Sequence, residues 1–307
     1  MGNWIYTLPK EDIYQTLNHS YTMPKIATIG FFDGVHRGHR FLFAQLNELA
    51  HEHDLEPLIF TFDRHPREVL TGVCPSLLTT SMERQQLLSH HAQVRVLSFV
   101  DVQHLTAEQF MLYMKTEEHV EVLLMGYDHR FGSDQLKGFS EYEKIARRVG
   151  LRVERAHECV VDGLPVSSTR IRHLLKEGQI HEVNRLLGYN YSLSGMVEHG
   201  NGIGAQIGFP TANIQIQSCK LLPMSGVYAV LANVKGVEYK ALANIGTNPT
   251  VGNDHISLEV HLIDFQGNLY DQQLTISFNS FLREERRFSS LFELQSQIAE
   301  DVSKVLG

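Results

Sequence analysis

The sequence lacks the features that mark several large classes of protein. None of its apolar runs approaches the roughly 20 residues that a membrane-spanning helix needs. Residues 1–6 do not place a basic stretch before an apolar one, so we expect no secretion signal. Basic side chains number 27 against 35 acidic ones, and the formal net charge of −8 offers a phosphate backbone no general attraction. We therefore expect a cytoplasmic enzyme or binding protein without membrane or nucleic-acid partners.

Cysteine is also scarce. Cys74, Cys159 and Cys219 lie far apart, and none belongs to a C-x-x-C pair that could hold zinc or exchange disulfides. We expect all three to be reduced thiols. The rest of the composition, 43% hydrophobic and 20% charged over 307 residues, is typical of a globular chain with two domains.

Two patterns of secondary structure divide the chain. Up to about residue 158, short apolar runs alternate with helical ones, which predicts a Rossmann-like parallel sheet with crossover helices. We place its strands at residues 26–32, 57–62, 94–99, 120–127 and 151–155, and two closing helices at 168–176 and 179–187.

Later runs are short and separated by turns, which predicts a small antiparallel β-barrel. Its strands are expected at residues 191–198, 227–234, 239–245, 257–263 and 274–278. A final helix carries an apolar stripe from Leu291 to Val305, with Ser290 and Glu293 spaced as a capping box. We expect the domains to span residues 1–183 and 184–307.

The most informative segment is residues 30–39, GFFDGVHRGH, which leaves a predicted strand and enters a predicted helix. The first turn of a helix has free N–H groups and the positive end of the helix dipole, so this junction favours an anion. His36 and His39 would share one helix face and could donate to the same phosphate oxygens. Gly38 removes a side chain that would obstruct a polyphosphate. A lone H-x-x-H is more often two surface histidines, but the strand and the glycines favour an ATP phosphate site here.

Three further segments could complete this site. Residues 167–172, SSTRIR, combine hydroxyl and guanidinium groups at a helix start, although a serine there is as often only an N-cap. Residues 126–132, GYDHRFG, lie at the carboxyl end of a strand, where open α/β sheets bind ligands, or they form a plain turn. Residues 61–66, TFDRHP, could add an aromatic wall.

The predicted barrel carries a second set of candidate residues. Residues 200–208 contain four glycines before the sequence PTAN, so backbone N–H groups could wrap a phosphate chain, although such loops often serve turn geometry alone. Thr211 and Asn213 add oxygen ligands of the kind that Mg²⁺ prefers. Strand alternation puts Glu259 and His261 on one face, where the Glu259 carboxylate could take a proton from a substrate hydroxyl group. The alternative interpretation is an ordinary solvent-exposed strand face with its polar residues outward.

These motifs resemble two known families. G-x-F-D-G-x-H-x-G-H with the downstream S-S-T-x-I-R resembles the HxGH nucleotidyltransferase superfamily, and T-F-D-x-H-P with G-Y-D-x-R-F-G resembles its prokaryotic FAD synthetase branch. G-F-P-T-A-N, G-V-Y-A-V, N-I-G-T-N-P-T, L-E-V-H-L-I-D-F and F-L-R-E-E resemble the riboflavin kinase module. Both sets occur in this order in the bacterial bifunctional riboflavin kinase/FAD synthetases, and they cover nearly the whole chain.

The resemblance implies that the second domain phosphorylates riboflavin with ATP and Mg²⁺, and that the first adenylylates FMN with ATP, giving FAD and pyrophosphate. It implies that His36 and His39 are catalytic groups of adenylyl transfer and that Glu259 is the kinase base. The ATP-binding residues that it implies are Gly30, Phe32, Asp33, Gly34, Gly38, Asp128, Ser167, Ser168, Thr169 and Arg172 in the first domain, and Gly202, Gly204, Gly208, Pro210, Thr211 and Asn213 in the second. The flavin contacts are Phe62, His65, Pro66 and Phe131 in the first domain and Asn248 and Arg283 in the second, and Thr211 and Asn213 would also hold Mg²⁺.

Two other interpretations stay open. The chain could be another HxGH nucleotidyltransferase, acting on phosphopantetheine or glycerol phosphate, with an unrelated C-terminal domain; the PTAN and LEVH segments disfavour this. It could also be a flavin-binding or regulatory protein in which one module has lost catalysis, and flavin binding without ATP turnover would reveal that. The expected partners are the small molecules riboflavin, FMN and ATP, and flavoproteins that accept the product are the candidate protein partners.

Overall fold

The computed structural model describes residues 23–127, 129–200, 202–248 and 255–307. Its first half contains a five-stranded parallel sheet with the order β3-β2-β1-β4-β5. The strands are β1 (Lys25–Ile29), β2 (Glu56–Phe62), β3 (Gln93–Leu97), β4 (Val120–Met125) and β5 (Arg152–Arg155). The helices between them are α1 (Arg37–Glu52), α2 (Pro66–Thr71), α3 (Ser81–Ser89), α4 (Phe99–Val102), α5 (Ala107–Thr116) and α6 (Phe139–Val149). The predicted Rossmann-like domain is confirmed.

Alternation along the strands gives each face of this sheet its own core. Ile26 and Ile59 pack with the buried side of α1 on one face. Ala27 and Phe60 point to the opposite face and pack with α5 and α6. Because helices cover both faces, we expect a ligand to bind at the carboxyl ends of the strands.

The second half is a closed antiparallel barrel with the order β10-β11-β12-β9-β8-β13. A short hairpin, β6 (Val160–Val161) and β7 (Leu164–Pro165), and two helices, α7 (Ser168–Lys176) and α8 (Ile180–Leu187), precede it. The barrel strands are β8 (Ser192–Glu198), β9 (Ala212–Gln215), β10 (Gly226–Val234), β11 (Val237–Asn248), β12 (His255–Leu262) and β13 (Gln273–Arg283). Helix α9 (Ile203–Gln206) follows β8, and α10 (Leu291–Leu306) ends the chain. The predicted barrel and terminal helix are confirmed.

Helices α7 and α8 pack against the barrel. Ile171, Leu175 and Val183 belong to the same buried cluster as Phe278 of the barrel. The boundary predicted between residues 183 and 184 falls inside α8, because this helix runs without a break from Ile180 to Leu187. The division into residues 1–183 and 184–307 stays a prediction.

Several elements differ from the predicted ones at their ends. Strand β1 ends at Ile29 rather than at residue 32, because Phe32 has a φ of 56°, which extended backbone does not allow. Strand β4 likewise ends at Met125 rather than at residue 127. Strand β9 and the hairpin β6–β7 are absent from the predicted set, since two to four residues show too little alternation to be recognised.

The terminal helix departs from its prediction in two details. Ser290 Oγ accepts from the Glu293 N–H at 3.2 Å, but the Glu293 carboxylate accepts from Ser289 rather than from the N–H of Ser290. The capping box is therefore only half formed. Leu294 and Ile298 of the apolar stripe line a cavity against the barrel instead of filling a core.

The prediction of three reduced cysteines is wrong for two of them. Cys74 and Cys219 form a disulfide with their Cα atoms 6.0 Å apart, and Cys159 is free. Packing between the two halves brings the pair together, since the Leu77 N–H donates to the Cys219 carbonyl at 2.7 Å. The two cysteines are 145 positions apart, and spacing in the sequence contains no signal for such a contact.

Candidate active sites

The turn between β1 and α1 places the two predicted histidines side by side. His36 is the N-cap of α1, and its Nδ1 accepts a hydrogen bond from the His39 backbone N–H at 3.3 Å. The rings stack with their centroids 3.6 Å apart. Val35, directly before them, has a φ of 36°, which is strained for a β-branched residue. The turn needs support from its surroundings to hold this shape.

Burial controls the charge of both histidine rings. His36 is 3% exposed, and desolvation lowers its pKa to about 4 although the Asp33 carboxylate acts in the opposite direction. Burial, aided by the neighbouring His36, lowers the pKa of His39 well below its usual value. Both rings are thus neutral near pH 7 when no anion is bound. No described residue hydrogen-bonds to His39 Nδ1, which leaves this buried atom for a ligand.

The Asp33 side chain anchors the turn between β1 and α1 and does not face solvent. Its carboxylate accepts hydrogen bonds at 3.0 Å from the backbone N–H groups of Leu78 and Thr79, and at 3.1 Å from Thr79 Oγ1. It also pairs with Arg172 Nη2 at 2.6 Å. Direct contact between Asp33 and ATP, as predicted, would compete with these four partners. Arg172 keeps its Nε without a partner in the described part of the chain, so part of its guanidinium group can still bind an anion.

The start of α7 meets the same turn. Ser168 Oγ donates to the Asp33 carbonyl at 2.9 Å, and Ser167 Oγ caps α7 by accepting from the Arg170 N–H. A Cβ atom at Gly38 would lie 2.9 Å from the Val166 carbonyl, so this close approach requires a glycine. The two predicted phosphate segments therefore lie together, with Thr169 in the first turn of α7. Asp128 lies outside the described residues.

Beside this turn lies an aromatic cavity of about 560 Å³. All four predicted flavin contacts of the first domain line it, namely Phe62, His65, Pro66 and Phe131. Further aromatic side chains that line it, to which the sequence analysis assigned no flavin contact, are Phe31, Phe99 and Phe110. A flat ring system with one polar end suits such a cavity, and Phe31, which belongs to the turn between β1 and α1, is one of its lining residues.

A buried arginine supports this cavity from behind. The Arg84 guanidinium group lies 3.9 Å from the centre of the Phe31 ring, and its Nη2 donates to the Phe62 carbonyl at 2.8 Å. Burial lowers its pKa to about 10, so it remains charged near pH 7. Sequence reasoning missed Arg84 because an arginine on an amphipathic helix is usually a solvated residue.

In the second half, a glycine-rich loop connects β8 to β9. Gly202 and Gly208 have φ values of 67° and 84°, which favour glycine. A Cβ atom at Gly204 would lie 2.3 Å from the Phe209 carbonyl, so the loop folds back on itself there. Pro210, next along the chain, accepts at its carbonyl from His261 Nδ1 at 2.8 Å. This contact ties the loop to β12.

Glu259 lines the same cavity as Gly204 of this loop. Residues Glu259 of β12 and Asn213 of β9 are direct partners in the barrel, so their side chains share one face. Thr211 Oγ1 lies 3.4 Å from Glu259 Oε2. Burial raises the pKa of Glu259, and the nearby Glu285 carboxylate contributes to this shift. The arrangement gathers hard oxygen donors around one half-buried carboxylate.

Glu259, Thr211 and Glu285 line a cavity of about 320 Å³ between the barrel and α10. Arg283, a predicted flavin contact, lines the cavity, but its Nε also pairs with the buried Asp301 at 2.8 Å. The backbone of Asn248 ends β11. The sequence analysis assigned no role to Asn244 and Glu285, which lie in this wall. For α10, the apolar stripe was the available signal in the sequence.

Two known protein families match successive parts of the chain. The family model described as FAD synthetase matches residues 18–170, and the model described as riboflavin kinase matches residues 187–306. The bifunctional riboflavin kinase/FMN adenylyltransferase of Pseudomonas fluorescens is 37% identical over 290 residues, which cover 91% of both chains. The chain belongs to the bifunctional riboflavin kinase/FMN adenylyltransferase family. Its two activities are riboflavin phosphorylation and FMN adenylylation.

Two further proteins align with nearly the whole chain. The protein of the same description from Escherichia coli strain K12 is 36% identical over 284 residues, 90% of each chain. A solved structure described as a macrolide-efflux protein from Streptococcus pneumoniae aligns with a TM-score of 0.84 and 26% identity, covering 94% of this chain and 96% of that one. In the described ranges no helix combines the length and apolar character needed to span a bilayer.

Proposed function

We propose that the two family activities are performed at separate sites. Adenylyl transfer would take place at the turn between β1 and α1 that carries His36 and His39, here called the histidine turn, and riboflavin phosphorylation at Glu259. The observation that carries this proposal is the presence of two separate sets of groups. One set contains the stacked histidines, Arg172 and the aromatic cavity, and the other contains Glu259 with its oxygen neighbours. Each set suits one of the two nucleophiles. The corresponding domains are residues 1–183 and 184–307.

Adenylyl transfer needs positioning and charge stabilisation rather than a base. A phosphate oxygen of FMN attacks the α-phosphorus of ATP, the new P–O bond forms, and the bond to the β-phosphate oxygen breaks to release pyrophosphate. Because the attacking oxygen is already anionic near neutral pH, no proton must be removed. We assign His36, His39 and the N–H groups at the start of α1 to the ATP phosphates. Arg172, with Ser168 and Thr169, would hold the leaving pyrophosphate, and the flavin ring would occupy the aromatic cavity.

Riboflavin phosphorylation has a neutral hydroxyl group as its nucleophile, so a base assists it. Glu259 would accept the proton of this hydroxyl group as the hydroxyl oxygen attacks the γ-phosphorus of ATP and ADP leaves. The oxygen donors of Thr211 and Asn213 suit Mg²⁺, which when bound would neutralise charge on the phosphates. The glycine loop, through Gly202, Gly204 and Gly208, would wrap the nucleotide. Because both reactions consume ATP, we place the protein in the cytoplasm, with small molecules as its partners.

Reciprocal variants test this division of labour. His36→Ala combined with His39→Ala should abolish FAD formation from added FMN and leave FMN formation from riboflavin nearly intact. Glu259→Gln keeps the shape of the side chain and should have the opposite effect, lowering FMN formation by at least about 100-fold. Both activities are measured on each purified protein by separating the flavins over time, with melting curves to establish folding. Loss of both activities in a folded variant would refute separate sites.

A further inference from the structure

We propose that Tyr189 and Lys220, which lie within the riboflavin kinase match, are positioning residues for adenylyl transfer in the other half of the protein. The part of the chain that matches riboflavin kinase, residues 187–306, is here called the kinase-like half. It would support the adenylyl-transfer site without contributing a residue that touches the substrate. This inference rests on the proposed location of adenylyl transfer at the histidine turn. It adds that residues of the kinase-like half hold the histidine turn in its shape.

The first contact is made by Tyr189. Its hydroxyl group donates to the Gly34 carbonyl at 2.7 Å. That carbonyl belongs to the peptide that leads into Val35, whose φ of 36° is strained, and His36 follows immediately. Strained backbone persists only where its surroundings hold it. The Tyr189 hydrogen bond is therefore placed to fix the turn that delivers His36 to its ligand.

The other side of the same turn is held through residues 78 and 79. The Gly34 N–H donates to Thr79 Oγ1 at 3.0 Å, and Asp33 receives the backbone N–H groups of Leu78 and Thr79. Asp33 in turn orients Arg172. Any movement of the 78–79 segment would thus be transmitted to both the turn and this guanidinium group.

Lys220 holds this segment from the kinase-like half. Its Nζ donates to the Leu78 carbonyl at 2.8 Å and pairs with Glu83 Oε2 at 2.6 Å, although its side chain is only 3% exposed. Glu83 Oε2 also accepts from the Thr80 N–H at 2.8 Å. A buried ion pair of this kind is costly to break, because removing one partner leaves the other charge uncompensated. Lys220 therefore fixes the 78–80 segment, directly through the Leu78 carbonyl and indirectly through Glu83.

Tyr189→Phe and Lys220→Met test the inference, and Tyr228→Phe is a matched control. Tyr228 is a buried tyrosine of the barrel whose hydroxyl group donates within its own half, to the Met224 carbonyl. We expect both test variants to lower kcat/KM for ATP in FMN adenylylation by about 10- to 100-fold, because small misplacements of catalytic groups have effects of this size. The KM for FMN should change less than kcat, since the aromatic cavity does not include either residue. FMN formation should stay within about twofold of the unmodified protein, as in the control.

The outcomes separate this inference from the proposed function. If His36→Ala abolishes FAD formation while Tyr189→Phe and Lys220→Met leave it unchanged, the positioning role is refuted and the site assignment stands. If His36→Ala leaves FAD formation intact, both proposals fail. A merely structural role would lower both activities together with the melting temperature, and that result would also refute the inference. Tyr189→Phe removes a single oxygen atom, so it remains informative should Lys220→Met fail to fold.

Discussion

At the scale of single residues, the histidine pair links phosphate binding to protonation. Desolvation keeps His36 neutral, with a pKa of about 4, and His39 is shifted in the same direction. A bound polyphosphate places several negative charges beside these rings, and an opposite charge within a few ångströms favours the charged form of an imidazole. ATP binding should therefore raise both pKa values.

The first prediction follows from the sign of this shift. Near pH 6 the free site is neutral and the occupied site is partly protonated, so ATP binding should take up protons. Calorimetric titration of ATP in two buffers with different ionisation enthalpies measures this uptake. We expect about 0.5 to 1 proton per ATP at pH 6, declining toward pH 8. His39→Ala should reduce the uptake, and equal heats in the two buffers would contradict the prediction.

Residue types were easier to predict than residue partners. The sequence pointed to His36, His39 and Asp33 because they follow a strand and precede a helix among glycines. It could not show that Asp33 is engaged by Thr79 and Arg172, since these partners are 46 and 139 positions away. The same limit applies to Arg84, whose contact with the aromatic cavity depends on how α3 packs.

At the scale of structural elements, the glycine loop before β9 is defined by close backbone approach. The Gly204 Cα lies so near the Phe209 carbonyl that an added Cβ would be 2.3 Å from this oxygen. The Phe209 N–H also donates to the Gly204 carbonyl at 2.8 Å. The loop can therefore keep this conformation beside Thr211 only if residue 204 has no side chain.

The second prediction is that Gly204→Ala lowers riboflavin phosphorylation by at least about tenfold while FMN adenylylation remains within about twofold. Backbone must shift to accommodate the methyl group, which opens the loop above Thr211. Gly138→Ala is the matched control, because a Cβ atom at Gly138 would meet nothing within 4 Å. Steady-state rates with each flavin check this prediction, and an unchanged kinase rate would show that the loop tolerates the methyl group.

Elements with a long pattern were predicted well, and short ones were not. α7 has the predicted bounds, Ser168–Lys176, because its N-cap serine and its following glycine are both local signals. β9 has four residues and gains its place only by pairing with β12 and β8. The stripe on α10 was recognised, but the sequence could not distinguish a surface that fills a core from one that lines a cavity.

At the scale of the whole molecule, the Cys74–Cys219 disulfide joins the two halves. Cys74 follows α2, the helix that begins at Pro66 in the wall of the aromatic cavity, and Cys219 precedes Lys220. A disulfide constrains the unfolded chain, so the stability of the protein should depend on the redox state of this pair.

The third prediction concerns that dependence. Closing a loop of 145 residues reduces the entropy of the unfolded chain, and the oxidised protein should be more stable by up to about 5 kcal/mol. Urea unfolding with and without a thiol reductant measures the difference. Cys74→Ser should match the reduced protein, and Cys159→Ser should keep the full response because Cys159 is free. Identical unfolding curves under both conditions would refute the contribution.

This pairing marks the limit of sequence-based prediction for the molecule as a whole. Each half could be predicted from its own strands and motifs, since those depend on neighbours along the chain. The contact between halves depends on surfaces such as Leu77 against Cys219 and Tyr189 against Gly34, where donors and acceptors come from distant segments.

The same disulfide also alters what a cut in the backbone would mean. A protease that cleaves a single exposed bond between residues 75 and 218, such as one in the β6–β7 hairpin, would leave the pieces joined through sulfur. Such a nicked protein would migrate as one species on a denaturing gel without reductant and as two fragments with it. Damage to the connecting polypeptide would therefore not, by itself, allow the two halves to diffuse apart.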